Sequence, residues 1–147
     1  MKFAAWYGII IGFGMIVQWT LFIASGNVPE FQTEPWRIAF HLAAETVTAL
    51  LLIVGGFATL KRTKWHKTVL SLGLGMVIYS EIVSPGYFAQ QGQWLMVWMF
   101  AVVLIGALIS VWRLSQAVQG SKNDSEADRA DVLVMCLWYG ILVSAKL

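Results

Sequence analysis

The chain has 147 residues, of which 59% are hydrophobic and 12% charged, with a net charge of +2. Soluble domains average about 45–50% apolar and about 25% charged, so the composition is that of a polytopic membrane protein of about one domain. Its expected partner is the lipid bilayer, and so small a charge excludes a nucleic-acid footprint. The single Cys136 excludes an internal disulfide and any cysteine cage for zinc or iron–sulfur within one chain.

The first apolar run, Ala4 to Ala24, is interrupted only by Gln18 and Thr20. At a rise of about 1.5 Å per residue it covers about 31 Å, the thickness of a hydrocarbon core. Lys2 and Ala24-Ser25-Gly26 also resemble the ends of a cleaved signal peptide. Against that reading, the run exceeds a signal's apolar region and carries Trp6, Gln18 and Trp19.

A polar connection, Ser25 to Pro35, contains Pro29, Glu30 and Glu34. Thr33 is the expected N-cap of the next helix, with Pro35 in its first turn. The second span runs from about Trp36 to Leu60 and stops at the cationic run Lys61-Arg62-Thr63-Lys64-Trp65-His66-Lys67. The third, about Thr68 to Val83, ends at Ser84-Pro85-Gly86, where proline removes a donor and restricts the residue before it. Tyr87 to Gln93 is an uncharged connection, and the fourth span covers about Trp94 to Val118. Residues 119–131 read as a polar, flexible linker. Val132 to Ala145 is apolar but short for a span, which favours an interfacial helix.

These signals together predict an all-α, four-helix transmembrane bundle: residues 1–118, then the linker, then a short apolar segment, 132–147. By the positive-inside rule, Lys2, the basic loop and Arg113 are cytoplasmic, giving N-in/C-in in a prokaryotic inner membrane. Trp6, Trp19, Trp36, Trp65, Trp94 and Trp112 fall near span ends, as an aromatic belt requires. Gly8-x3-Gly12, Gly55-Gly56 and Gly73 with Gly75 fit close helix packing. His66, among lysines, reads as solvated, and Tyr87 with Phe88 as an outer-surface anchor.

Polar side chains converge in the outer half. Counting the helix rise, Gln18 lies about 9 Å below the outer surface, His41 about 8 Å, and Glu45 about 14 Å, with Glu81 about 20 Å above the inner surface. Arg37, His41 and Glu45 follow one another at i, i+4 and i+8 and share a stripe with Thr48. That spacing lets His41 hydrogen-bond Glu45 while Arg37 snorkels to the interface. Glu81 comes from an adjacent antiparallel helix, with Tyr79 and Ser80 on other faces and Ser84 one turn on. Each carboxylate costs about 2.5–3.5 kcal/mol to insert, so such a group calls for neutralisation by a proton, an ion or a histidinium.

Three functional classes follow, besides a structural or assembly subunit in which the cluster only packs helices. First, His41, Glu45 and Glu81 form a ligand set for a divalent metal, with Gln18 beside them, or a proton or small-ligand site. Second, a haem b subunit would need axial ligands from His41 and Met96 or Met99; only one intramembrane histidine exists, so a bis-His haem is excluded within one chain. Third, His41-x3-Glu45 followed by Glu81 resembles the emopamil-binding sterol isomerase group. That resemblance implies an isomerase-like enzyme on a lipid-soluble substrate, whose acidic residues stabilise a carbocation and shuttle protons. It covers those three positions only, and the group's fifth helix is missing or short here.

More broadly, Phe40-His41-Leu42-Ala43-Ala44-Glu45 with Thr48-Ala49, Tyr79-Ser80-Glu81 and Ser84-Pro85-Gly86-Tyr87 resembles small uncharacterised prokaryotic four-helix membrane proteins. That likeness implies the architecture and no activity. The leading expectation is therefore an outward-opening polar site built from His41, Glu45, Glu81 and Gln18, supported by Arg37, Thr48 and Ser84. Four helices make a small pathway, so transport would call for a homo-oligomer or a larger membrane complex.

Overall fold

The computed structural model describes residues 1–26 and 28–119. The expected linker beyond Gln119 and the apolar segment 132–147 lie outside the described residues. Within them the chain is all-helical. It contains α1 (Lys2–Ala24), α2 (Glu30–Thr33), α3 (Pro35–Leu60), α4 (His66–Val83), α5 (Pro85–Gln90) and α6 (Trp94–Gln119). Four helices are long and apolar enough to cross a membrane: α1, α3, α4 continued into α5, and α6.

The four long helices run up and down around one core. Helix α1 packs on α3, α3 on α4, α4 on α6, and α6 back on α1. One end carries Lys2, the loop from Lys61 to Trp65, and Arg113; the other carries Glu30 and Glu34. We call these the basic and acidic ends. Large apolar side chains cover the outer surface, among them Trp36, Phe40, Leu95 and Trp98, far more than a soluble monomer exposes.

Glycine sets the α3 seams. A Cβ on Gly56 would stand 2.7 Å from the Ala5 carbonyl oxygen, and one on Gly12 would stand 2.7 Å from that of Ala49. On the other side of α3, Gly55 abuts the Leu70 backbone and Gly73 abuts Leu51 and Leu52. Backbones approach this closely only where no side chain intervenes. Gly75, grouped with them on spacing, faces open space instead.

Inside, the basic half of the bundle is apolar. Ala4, Leu52, Leu70, Leu74, Val77, Ala107 and Leu114 form one buried cluster, flanked by Tyr7, Ile11, Met15, Ile78 and Val103. Most of these recur every three or four residues, as one face of a helix requires. Ser110 and Thr59, buried in the same half, hydrogen-bond back to the carbonyls of Gly106 and Gly55, so neither hydroxyl is left unpaired.

Several local expectations need correction. The N-cap of α3 is Glu34, with Pro35 at the first helical position, and it makes no side-chain cap bond. Thr33 instead donates to the Pro29 carbonyl, because Pro29 starts the separate turn α2. The connection after Pro85 is helical for six residues as α5. The third span itself ends where expected, at Val83 with Ser84 as its C-cap, and Pro85 stands at the first position of α5. His66 is buried, with 8% exposure. It opens α4, its Nδ1 lies against the Thr63 carbonyl, and its Nε2 is buried without a partner.

Candidate functional site: the carboxylate pair of the acidic half

The stripes that form the apolar core continue toward the acidic end, and there they turn polar. On α4 the buried residues Leu70, Leu74 and Val77 are followed at the next step by Glu81. On α3, Leu52 and Ala49 are followed by Glu45. On α1, Gly8, Ile11 and Met15 are followed by Gln18. The spacing is the same 3-4 alternation throughout, so helix geometry alone carries Glu45, Glu81 and half-buried Gln18 to the inner side of the bundle.

Glu45 is satisfied. Ser80 on α4 donates its hydroxyl to Glu45 Oε1 at 2.5 Å. Ser84, one turn further, places its hydroxyl 3.5 Å from that of Ser80. Glu81 is different. Its Oε2 is fully inaccessible and has no hydrogen-bond partner, and its carboxylate lies within electrostatic reach of Glu45 and of Tyr7. A buried polar atom left unpaired costs about 1–3 kcal/mol, more when charged. The site therefore has one fixed carboxylate and one with a vacant acceptor.

The other expected members stand apart. His41 is exposed, and its ring meets Trp19 of α1 edge-on, with centroids 5.5 Å apart; among the described residues it makes no hydrogen bond to Glu45. Arg37 points back to Glu34 across one turn as an exposed ion pair. Thr48 donates to the Ala44 carbonyl of its own helix. Among the described residues no group of three His, Cys, Asp or Glu side chains is placed to hold a metal ion, so the His41, Glu45, Glu81 ligand set does not assemble in this arrangement. The physical reason is rotational. His41 is four residues from Glu45, and each such step turns the helix by about 40° beyond a full circle, enough to carry the imidazole onto the α1 side.

Ser80 is the residue that sequence reasoning missed, having assigned it to another face. A signal was present. Ser80 lies seven residues beyond Gly73, the glycine of α4 that touches the α3 backbone, and seven residues return a helix nearly to the same face.

At the acidic rim the two connections are tied together. Tyr87 donates to Glu30 Oε1 at 2.9 Å, and Phe88 packs on Phe100 of α6 with centroids 5.4 Å apart. The residues expected as a surface anchor thus also tie the two connections together through an exposed contact.

Comparison with known proteins adds the family. The model for a domain of unknown function, DUF8058, matches residues 1–126, and the chain belongs to that family. Neither a curated protein nor a solved structure matches it.

Proposed function

We propose that this protein spans a membrane and binds a positively charged species, a proton or a small cation, between Glu45 and Glu81. The observation that carries the reading is the vacant acceptor Oε2 of Glu81, set on a core stripe beside a second carboxylate that is already hydrogen-bonded. Two carboxylates at short range in a low-dielectric interior do not both stay charged and uncompensated. Glu45, held by Ser80, is the fixed partner, and Glu81 is the exchanging group.

A stability role supplies a poorer account. Polar residues that only tie helices together are paired, and Glu81 Oε2 is not. The distribution of Lys and Arg orients the bundle with its basic end in the cytoplasm, which puts the carboxylate pair nearer the outside. Loading from that side, past the Tyr87–Glu30 clasp or through the helix seams, is the corresponding route.

Infrared difference spectroscopy on the purified full-length protein tests this. A carbonyl-stretch band of a protonated carboxyl is expected, weakened by a competing cation and lost in Glu81→Gln. If Glu45→Gln with Glu81→Gln leaves the spectrum unchanged and only lowers the melting temperature, the packing role is right and the binding reading fails.

A further inference from the structure

The basic end carries charge that nothing among the described residues balances. Lys2, Lys61, Arg62, Lys64, Lys67 and Arg113 stand there, all of them exposed except the half-buried Lys67. The described carboxylates, Glu30, Glu34, Glu45 and Glu81, all lie in the acidic half. The one ion pair among the described residues joins Arg37 to Glu34. Four of the cations fall between Lys61 and Lys67, in and beside the connection from α3 to α4.

That connection is a fixed turn. Thr63 donates its backbone N–H to the Ala58 carbonyl at 3.1 Å, and Arg62 donates to that of Thr59 at 3.3 Å, the paired bonds of a Schellman ending. At the other end the His66 backbone N–H meets the Thr63 carbonyl at 3.3 Å, and its Nδ1 meets the same oxygen. Only five residues, Lys61 to Trp65, join the two helices. A link so short between two apolar spans stays at the level of lipid headgroups, where an exposed indole such as that of Trp65 is favoured.

Arg62 has the informative backbone. Its φ is 53°, the left-handed conformation that ends such a helix and that glycine fills without steric cost. Among the described non-glycine residues it alone has a positive φ. Orientation by the positive-inside rule counts charges and needs no particular backbone site. With glycine at 62, Lys61, Lys64 and Lys67 would still supply them. A guanidinium held on a strained, hydrogen-bonded turn is suited instead to a fixed anion. Its fork pairs two oxygens of a phosphodiester, and flanking lysines add point charges. A phosphodiester is the anion that a membrane surface presents, and four or more Lys and Arg beside a span favour acidic lipids. The chain's own acids Asp124, Glu126, Asp128 and Asp131 are interleaved with Lys122 and Arg129, which makes that stretch the weaker competitor for the turn.

We propose that the α3–α4 turn binds the headgroup of an anionic phospholipid in the cytoplasmic leaflet, with Arg62 on the phosphodiester and Lys61 and Lys64 beside it. The proposal rests on the membrane-spanning part of the reading above and is independent of the carboxylate pair.

The test places full-length protein in phosphatidylcholine bilayers and compares spin-labelled phosphatidylglycerol with spin-labelled phosphatidylcholine. Electron paramagnetic resonance reads the fraction of each that the protein immobilises. The expected result is a preference for phosphatidylglycerol of about fivefold or more, largely abolished by Arg62→Gly. The melting temperature of that variant in phosphatidylcholine should stay level or rise, because glycine suits the turn. Lys2→Gln, which removes a charge at the same end on another helix, is expected to cost much less. Equal losses in Lys2→Gln and Arg62→Gly, or no loss in Arg62→Gly, overturn the turn as the site. Abolition by inorganic phosphate, but not by chloride at the same ionic strength, assigns the turn to free phosphate and overturns the lipid. A preference that emerges only in the combined variant Asp124→Asn, Glu126→Gln, Asp128→Asn and Asp131→Asn makes the chain's own segment the occupant, and the lipid is again overturned. No preference in any variant overturns the proposal outright. Protein that fails to enter the bilayer overturns it together with the membrane-spanning reading beneath it.

Discussion

The two halves of the bundle use one helical stripe pattern for opposite ends. In the basic half, Leu52, Leu70, Leu74 and Ala107 sit fully buried, and the α3 seams are so tight that glycines meet backbone atoms. In the acidic half the same stripes present Gln18, Glu45 and Glu81, one carboxylate oxygen is unpaired, and a Cβ on Gly14 would meet nothing within 4 Å. A tight apolar half can hold four helices in register while the other half carries groups that weaken packing. On the proposed reading, stability and chemistry are divided along the bundle axis, as expected where a functional site is costly to the fold.

Substitutions that exchange the character of the halves sharpen this contrast. The largest effect is expected from Gly56→Leu, whose side chain would meet the Ala5 carbonyl and Ile9. Backbone cannot yield as a flexible side chain can, so the loss should be about 3 kcal/mol or more, read as a collapse of the melting temperature of the purified protein. An intermediate effect of opposite sign is expected at Glu81→Leu. Replacing an unpaired carboxylate by an apolar group on the Val77 stripe should stabilise the bundle by about 1–3 kcal/mol while abolishing cation binding. A fall in melting temperature there would mean that the acidic half is packed for stability after all. The smallest effect is expected from Tyr87→Phe. It removes an exposed hydrogen bond to Glu30 worth about 1 kcal/mol or less, so melting should scarcely move.

The buried His66 shows how far composition misleads about position. Placed among four Lys and Arg residues between Lys61 and Lys67, it reads as solvated, yet it opens α4 and is buried. Its place follows from the α4 stripe, since Leu70 is four residues on and Leu74 eight. Charge runs describe a segment's average surroundings; helical phase decides each side chain. Ser80 teaches the same lesson from the other direction, because its face is set by the Gly73 contact and not by its neighbour Glu81.

The amino-acid sequence by itself determined the four long apolar helices, their approximate ends, and the half of the bundle in which Glu45 and Glu81 lie. Those properties depend on local quantities: hydrophobic run length, the rise per residue, and the restrictions imposed by proline and glycine. Tertiary structure decided which polar groups meet. Ser80 reaches Glu45 and His41 turns to Trp19, and each depends on the rotation of one helix against another. That rotation is set by where glycines let backbones touch, a relation between segments distant in the chain that no local pattern contains.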